Sequence, residues 1–141
     1  MSCAAAGTCS AGGSYLDRGF SQAFVISGAH GTWGKANEVP GTVALNRRGF
    51  AKVTSVSCAA AGTCTAGGYY RDGAGRQQAF VVSRAHGPWG TAIEVPGTAA
   101  LNQGGEAGVT SVSCTVAGTC SAVGTYLDSF LGQQVFVVSR T

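Results

Sequence analysis

Six cysteines are the residues with the plainest capacity for chemistry in this chain. They fall as Cys3/Cys9, Cys58/Cys64 and Cys114/Cys120, each pair bracketing five residues. Several pairings are formally open to six cysteines, and the repeated bracket selects one of them. The bracketed run is Ala-Ala-Ala-Gly-Thr twice and Thr-Val-Ala-Gly-Thr once. Gly accepts the left-handed backbone that the last position of a three-residue hairpin loop requires. With Ala60-Ala61-Gly62 as that loop, Ala59 faces Thr63 and Cys58 faces Cys64. Opposed residues on antiparallel strands lie about 4.5–5.5 Å apart, within reach of a disulfide. Three cross-strand disulfides are predicted, each contributing on the order of 2 kcal/mol because the loop it closes is short. Such bonds persist in oxidising compartments, so a secreted or extracellular setting is expected, although Met1 runs into the repeat without the basic segment of a signal peptide. The spacing is not that of a zinc motif and no His recurs beside each pair. No metal and no cofactor are expected.

A second group of chemically capable residues also recurs. Trp33 and Trp89 match, and Glu38 and Glu94 follow them five residues later. Tyr15, Tyr70 and Tyr126 each stand two residues before an acid, Asp17, Asp72 and Asp128. Arg84 matches Arg140, with Gly28 at the first equivalent position. A flat aromatic face beside polar groups suits a sugar ring. Trp33, Trp89, Glu38, Glu94, Tyr15, Tyr70, Tyr126 and Arg84 are therefore the candidate ligand-binding set. Each also has a structural reading: Trp as packing between units, Glu as an exposed edge carboxylate, Asp as a turn former bonding its own backbone. His30 and His86 fall in a turn, where a solvated or backbone-bonded histidine is the ordinary outcome. No Gly-x-Ser-x-Gly, His-Glu-x-x-His or phosphate loop occurs, and no convergent set of unlike groups marks a reaction centre. The chain is read as not an enzyme.

The elements that must position these residues come from the period. Cys58 and Cys114, Trp33 and Trp89, Pro40 and Pro96, and Phe80 and Phe136 are all 56 residues apart, with one residue fewer in the first copy around Arg18–Ser21. One repeat domain spans 1–141, divided as about 1–52, 53–108 and a partial third unit 109–141. A period of this length means supersecondary units that stack to bury their faces. Charged residues make up 11% of the chain, against about 25% in an average protein. The chain holds 23 Gly, which suits closely apposed sheets with small side chains between them. In the complete second unit, Lys52–Cys58 alternates, Thr63–Tyr70 follows the hairpin loop, and Gln78–Ser83 reads as a strand buried on both faces. Trp89–Val95 reads as a fourth strand, and Thr98–Gly108 as a loop to the next unit. The expectation is all-β, four short antiparallel strands per unit, arranged as β-propeller blades at about two and three-quarters per chain. A β-trefoil is the alternative.

The run Ser55-Val56-Ser57-Cys58, followed by Gly62-Thr63-Cys64-Thr65-Ala66-Gly67-Gly68, resembles repeats of secreted bacterial β-propeller proteins. Ser83-Arg84-Ala85-His86-Gly87-Pro88-Trp89 and Ser27-Gly28-Ala29-His30-Gly31-Thr32-Trp33 resemble a degenerate Asp-box, the sialidase-type turn between third and fourth strands. The Asp of that motif is replaced by Ala29 and Ala85, and the turn is a residue short. The resemblance implies a fold and no activity.

Fewer than four blades cannot close a ring. Each chain is therefore expected to end on open strand edges and to complete a six-bladed ring as a homodimer. The scattered charges, +3 net, form no basic stripe, so nucleic acid is not an expected partner. No apolar run is long enough for a membrane span. Two functions remain open: a carbohydrate- or cell-surface-binding module with sites repeated along the blades, or a structural or protein-interaction scaffold, such as an engineered or excised propeller fragment, with no small-molecule site.

Overall fold

The structure is a computed structural model that describes residues 1–115 and 118–140. Three antiparallel sheets follow one another along the chain. The first holds β1 (Ser2–Ala5), β2 (Thr8–Asp17), β3 (Phe20–Ala29), and two short pieces, β4 (Thr32–Trp33) and β5 (Asn37–Glu38), which both pair with β3. A single helical turn, α1 (Thr42–Leu45), leads to the second sheet: β6 (Ala51–Ala60), β7 (Thr63–Arg71), β8 (Gln77–Ala85) and β9 (Ile93–Glu94). Another turn, α2 (Thr98–Leu101), precedes β10 (Gly108–Cys114), β11 (Cys120–Leu127) and β12 (Gln133–Arg140). The all-β expectation is met.

Each sheet packs face to face on the next, because strand alternation puts small and apolar residues on both sides. One face of the second sheet carries Val53, Val56, Ala66, Tyr70, Phe80 and Val82, which bury Ala23 and Val25 of the first. Its other face carries Ala79 and Val81, which meet Val109, Val112, Ala122 and Phe136 of the third. We call these the leading face, toward the preceding sheet, and the trailing face, toward the following one. β8 is accordingly covered on both sides, as its continuous apolar run predicts. Glycine lets the sheets approach: a Cβ on Gly12 would lie 2.5 Å from Val53 Cγ1, and one on Gly67 2.6 Å from Val109 Cγ1.

All three disulfides form, and Cys58 pairs with Cys64 across the strands as expected. The loop differs from its predicted form. Ala60 pairs with Thr63, so Ala61-Gly62 alone make the tip and the ladder is irregular between Cys58 and Ala60. Gly62 takes φ 80°, and the local bulge absorbs the extra residue. In the third hairpin, Val116 and Ala117 lie outside the described residues.

Two further corrections concern the second half of the unit. The fourth strand is only Ile93–Glu94, not Trp89–Val95. Its glycine and proline neighbours interrupt the ladder, and Gly90 N–H bonds back to Ser83 O at 2.8 Å. The segment Thr98–Gly108 is not simply a loop. Gly97 at φ 86° opens the helical turn α2, and the Thr98 hydroxyl donates to Val95 O at 2.8 Å.

Candidate functional site

A cleft of about 1090 Å³ lies between the first and second sheets, at the end that carries the disulfide hairpins. On one side it is lined by His30, Trp33, Lys35 and Glu38; on the other by Arg84 and Trp89. Position follows from local structure. Ala29-His30-Gly31-Thr32 is a tight turn with His30 and Gly31 at φ 52° and 79°, a mirror-type hairpin turn that favours glycine in second place. It sets Trp33 opposite Gly28 in the ladder. Arg84 stands opposite Cys64, so the second hairpin holds the guanidinium against the cleft. The turn is tied down where Gly31 N–H bonds Gly7 O at 3.0 Å, and His86 N–H bonds Gly62 O at 2.9 Å.

Trp33 is 46% exposed, whereas Trp89 is partly buried and packs against the core. Arg84 Nε is buried and has no hydrogen-bond acceptor among the described residues. Arginine presents its donors in a fixed fork matched to carboxylate and other oxygen acceptors. The cleft thus combines one open aromatic face, a partly sunk indole and two cations; Glu38 stands opposite Phe24 in the ladder, which turns its carboxylate to the leading face of the first sheet.

The tyrosines lie elsewhere. Tyr15, Tyr70 and Tyr126 sit on the leading faces of their sheets, away from the cleft. Tyr15 Oη donates to Glu38 Oε2 at 3.5 Å. Tyr70 is 2% exposed, with its ring 6.4 Å from that of Phe80. Burial, then the charges of Glu94 and Asp72, push the Tyr70 phenol above the ordinary tyrosine range. Glu94 Oε1 is buried without a partner among the described residues. Tyr126 packs against the second core cluster. The candidate set therefore divides: Trp33, Trp89, Glu38 and Arg84 line one cleft, Tyr70, Tyr126 and Glu94 lie at the packed faces between sheets, and Tyr15 lies on the open leading face of the first sheet.

The acids of the Tyr-x-Asp repeat are turn formers. Asp72 Oδ1 accepts from the N–H groups of Ala74 and Arg76, and Oδ2 from Gln78 Nε2, each at 2.9 Å. Asp128 repeats this with Phe130, Gly132 and Gln134. Desolvation pushes Asp72 up, but those bonds and the Arg76 charge outweigh it and leave the carboxyl below its usual range. The bond from Gln134 and then the two backbone donors lower Asp128. The first copy, one residue shorter, closes instead on Arg18 and Gly19, both at positive φ.

Sequence reasoning missed Asn46 and Asn102. Asn102 Nδ2 donates to Gln77 O at 2.9 Å and Gln78 Oε1 at 3.0 Å, and Asn46 Nδ2 does the same to Ser21 and Gln22. Each fastens its helical turn to the third strand of its own sheet. Their signal was the period itself, since Leu45-Asn46 matches Leu101-Asn102.

A second cleft of about 590 Å³ occupies the same place between the second and third sheets. Arg140 takes the position of Arg84, but Thr91 and Ile93 replace Lys35 and Asn37, and no Trp lines it. Among the described residues no group of three or more His, Cys, Asp or Glu could hold a metal ion, and no helix is long and apolar enough to cross a membrane. No protein-family model matches the chain, and no curated protein matches it.

Proposed function

We propose that the chain is a set of β-propeller blades acting as a non-catalytic module that binds carbohydrate in the cleft between the first two sheets. One observation carries this reading: Trp33, Trp89, Arg84 and Glu38, separated by up to 56 residues in sequence, line a single cleft. An indole face stacks on the apolar face of a pyranose, and the two cations match its hydroxyls or an acidic substituent. The propeller part is supported by three antiparallel sheets stacked face to face at a fixed period, and by the Asp-box-like turns Ser27–Trp33 and Ser83–Trp89. The disulfides fit an oxidising environment, hence secretion.

A scaffold without a small-molecule site is the competing reading, favoured by the packing of Trp89 into the core and by the absence of Trp from the second cleft. A glycan array separates the two, followed by titration of a bound sugar against intrinsic tryptophan fluorescence. Trp33→Ala is the informative variant because that ring is the less buried. Carbohydrate binding predicts a saturable signal that Trp33→Ala weakens about tenfold with the fold intact. An array without hits removes the carbohydrate reading.

A further inference from the structure

Two sheet faces of the same chemistry as the internal junctions are uncovered, and they are complementary to one another. At both junctions a trailing face rich in small apolar residues meets a leading face of valine and aromatic residues. Ala23 and Val25 are 0% exposed at the first, and Ala79 is 0% exposed at the second. The third sheet offers Val135 and Val137 at the same positions, 71% and 67% exposed. The leading face of the first sheet is open too: Tyr15 is 39% exposed, while Tyr70 on the covered second sheet is 2%.

A serine ladder records the same register. Ser2 Oγ accepts from Cys58 N–H at 3.0 Å, and Ser57 Oγ accepts from Cys114 N–H at 3.0 Å. Ser113 is the next rung and is exposed; the Cys3 N–H is the matching donor. One position differs. Val123 stands where Gly12 and Gly67 leave room for Val53 and Val109. It fills that notch from its own side, and β1, Ser2–Ala5, does not extend to it.

We propose that the trailing face of β10–β12 docks the leading face of β1–β3 from a second copy of this chain, head to tail. Ser113 then receives Cys3 N–H of the incoming copy, and Val135 and Val137 cover Tyr15, Phe24 and Ile26. The contact is heterologous, so it either closes a ring or propagates. Two copies supply six sheets, within the range of about four to eight blades that close a propeller; only this count rests on the propeller reading above.

The test is complementation measured by light scattering and analytical ultracentrifugation. Val137→Arg blocks the trailing face and Ile26→Arg the leading face. The wild type is expected at twice the 14.0 kDa chain mass. Each variant alone is expected at the chain mass, and an equimolar mixture at a one-to-one complex through the remaining intact pair of faces. Milder variants, Val135→Ser with Val137→Ser and Tyr15→Ser, stand in where an arginine impairs folding, checked by circular dichroism. A wild type that stays at the chain mass at high micromolar concentration overturns the proposal. So does a blocked variant that still pairs with itself, which means like faces meet, or a mixture that fails to associate. Val137 and Ile26 lie outside the first cleft, so sugar binding by the blocked variants reports on that cleft separately.

Discussion

Tyr15 and Tyr70 hold the same place in two consecutive sheets, beside Phe24 and Phe80 and beside Glu38 and Glu94. One is 39% exposed and the other 2%. The sequence around them hardly differs; what differs is whether a neighbouring sheet lies on top. A residue's role in this molecule is thus set by the junction and not by the unit. The recurrence of Tyr and Glu reflects a packing surface, whereas that of Trp and Arg leads into a cleft.

The largest test of that contrast is deletion of the aromatic ring beneath each tyrosine. Phe80→Ala should destabilise by about 3–5 kcal/mol, as expected for a fully buried ring. Phe24→Ala should cost clearly less, because Phe24 is only partly buried. Equal shifts in denaturation midpoint would mean that the first leading face is covered in the monomer. The glycine notch gives the next effect. Gly67→Val drives a side chain into Val109 and should cost about 1–3 kcal/mol, while Val123→Gly, on the open face, should change stability far less by the same measurement. Replacing Cys58 and Cys64 with Ser should cost on the order of 2 kcal/mol. The same change at Cys3 and Cys9, on a sheet packed from one side, offers a direct comparison of urea midpoints.

The smallest effects are in pH. Tyr70 is raised in the fold, so the folded chain holds that proton more tightly than the unfolded chain. Stability is intact below about pH 10, the unfolded value, and falls as pH rises beyond it. Tyr70→Phe should flatten that alkaline loss in thermal scans, and Tyr15→Phe should do so less. Asp72 is lowered, so its contribution has the opposite sense: present above the ordinary carboxylate range and lost as pH falls below it. Asp72→Asn should therefore reduce the acid dependence of the melting temperature.

Strand order, cysteine pairing and the doubly covered β8 were legible because each follows from a pattern the chain repeats: alternation, a bracketed glycine, an unbroken apolar run. The cleft was half legible. Trp33, Trp89, Glu38 and Arg84 were named from recurrence, but nothing local separated them from Tyr70 and Glu94, which recur as faithfully and end inside a packed junction. That distinction depends on which side of a strand meets a neighbour, and so on register between sheets. The short fourth strand was misjudged because Gly90 and Pro88 interrupt an apolar stretch that otherwise reads as extended. Asn46 and Asn102 went unnoticed because an asparagine in a loop ordinarily signals only a turn; here its amide clasps a strand.

Hydroxyl-radical footprinting of Tyr15 and Tyr70 across a dilution series reads the central contrast directly. The account predicts that Tyr70 is protected throughout, while Tyr15 is modified in dilute solution and becomes protected as concentration rises and the mass doubles. Modification of Tyr15 that is indifferent to concentration, or of Tyr70 at the same rate as Tyr15, would contradict it.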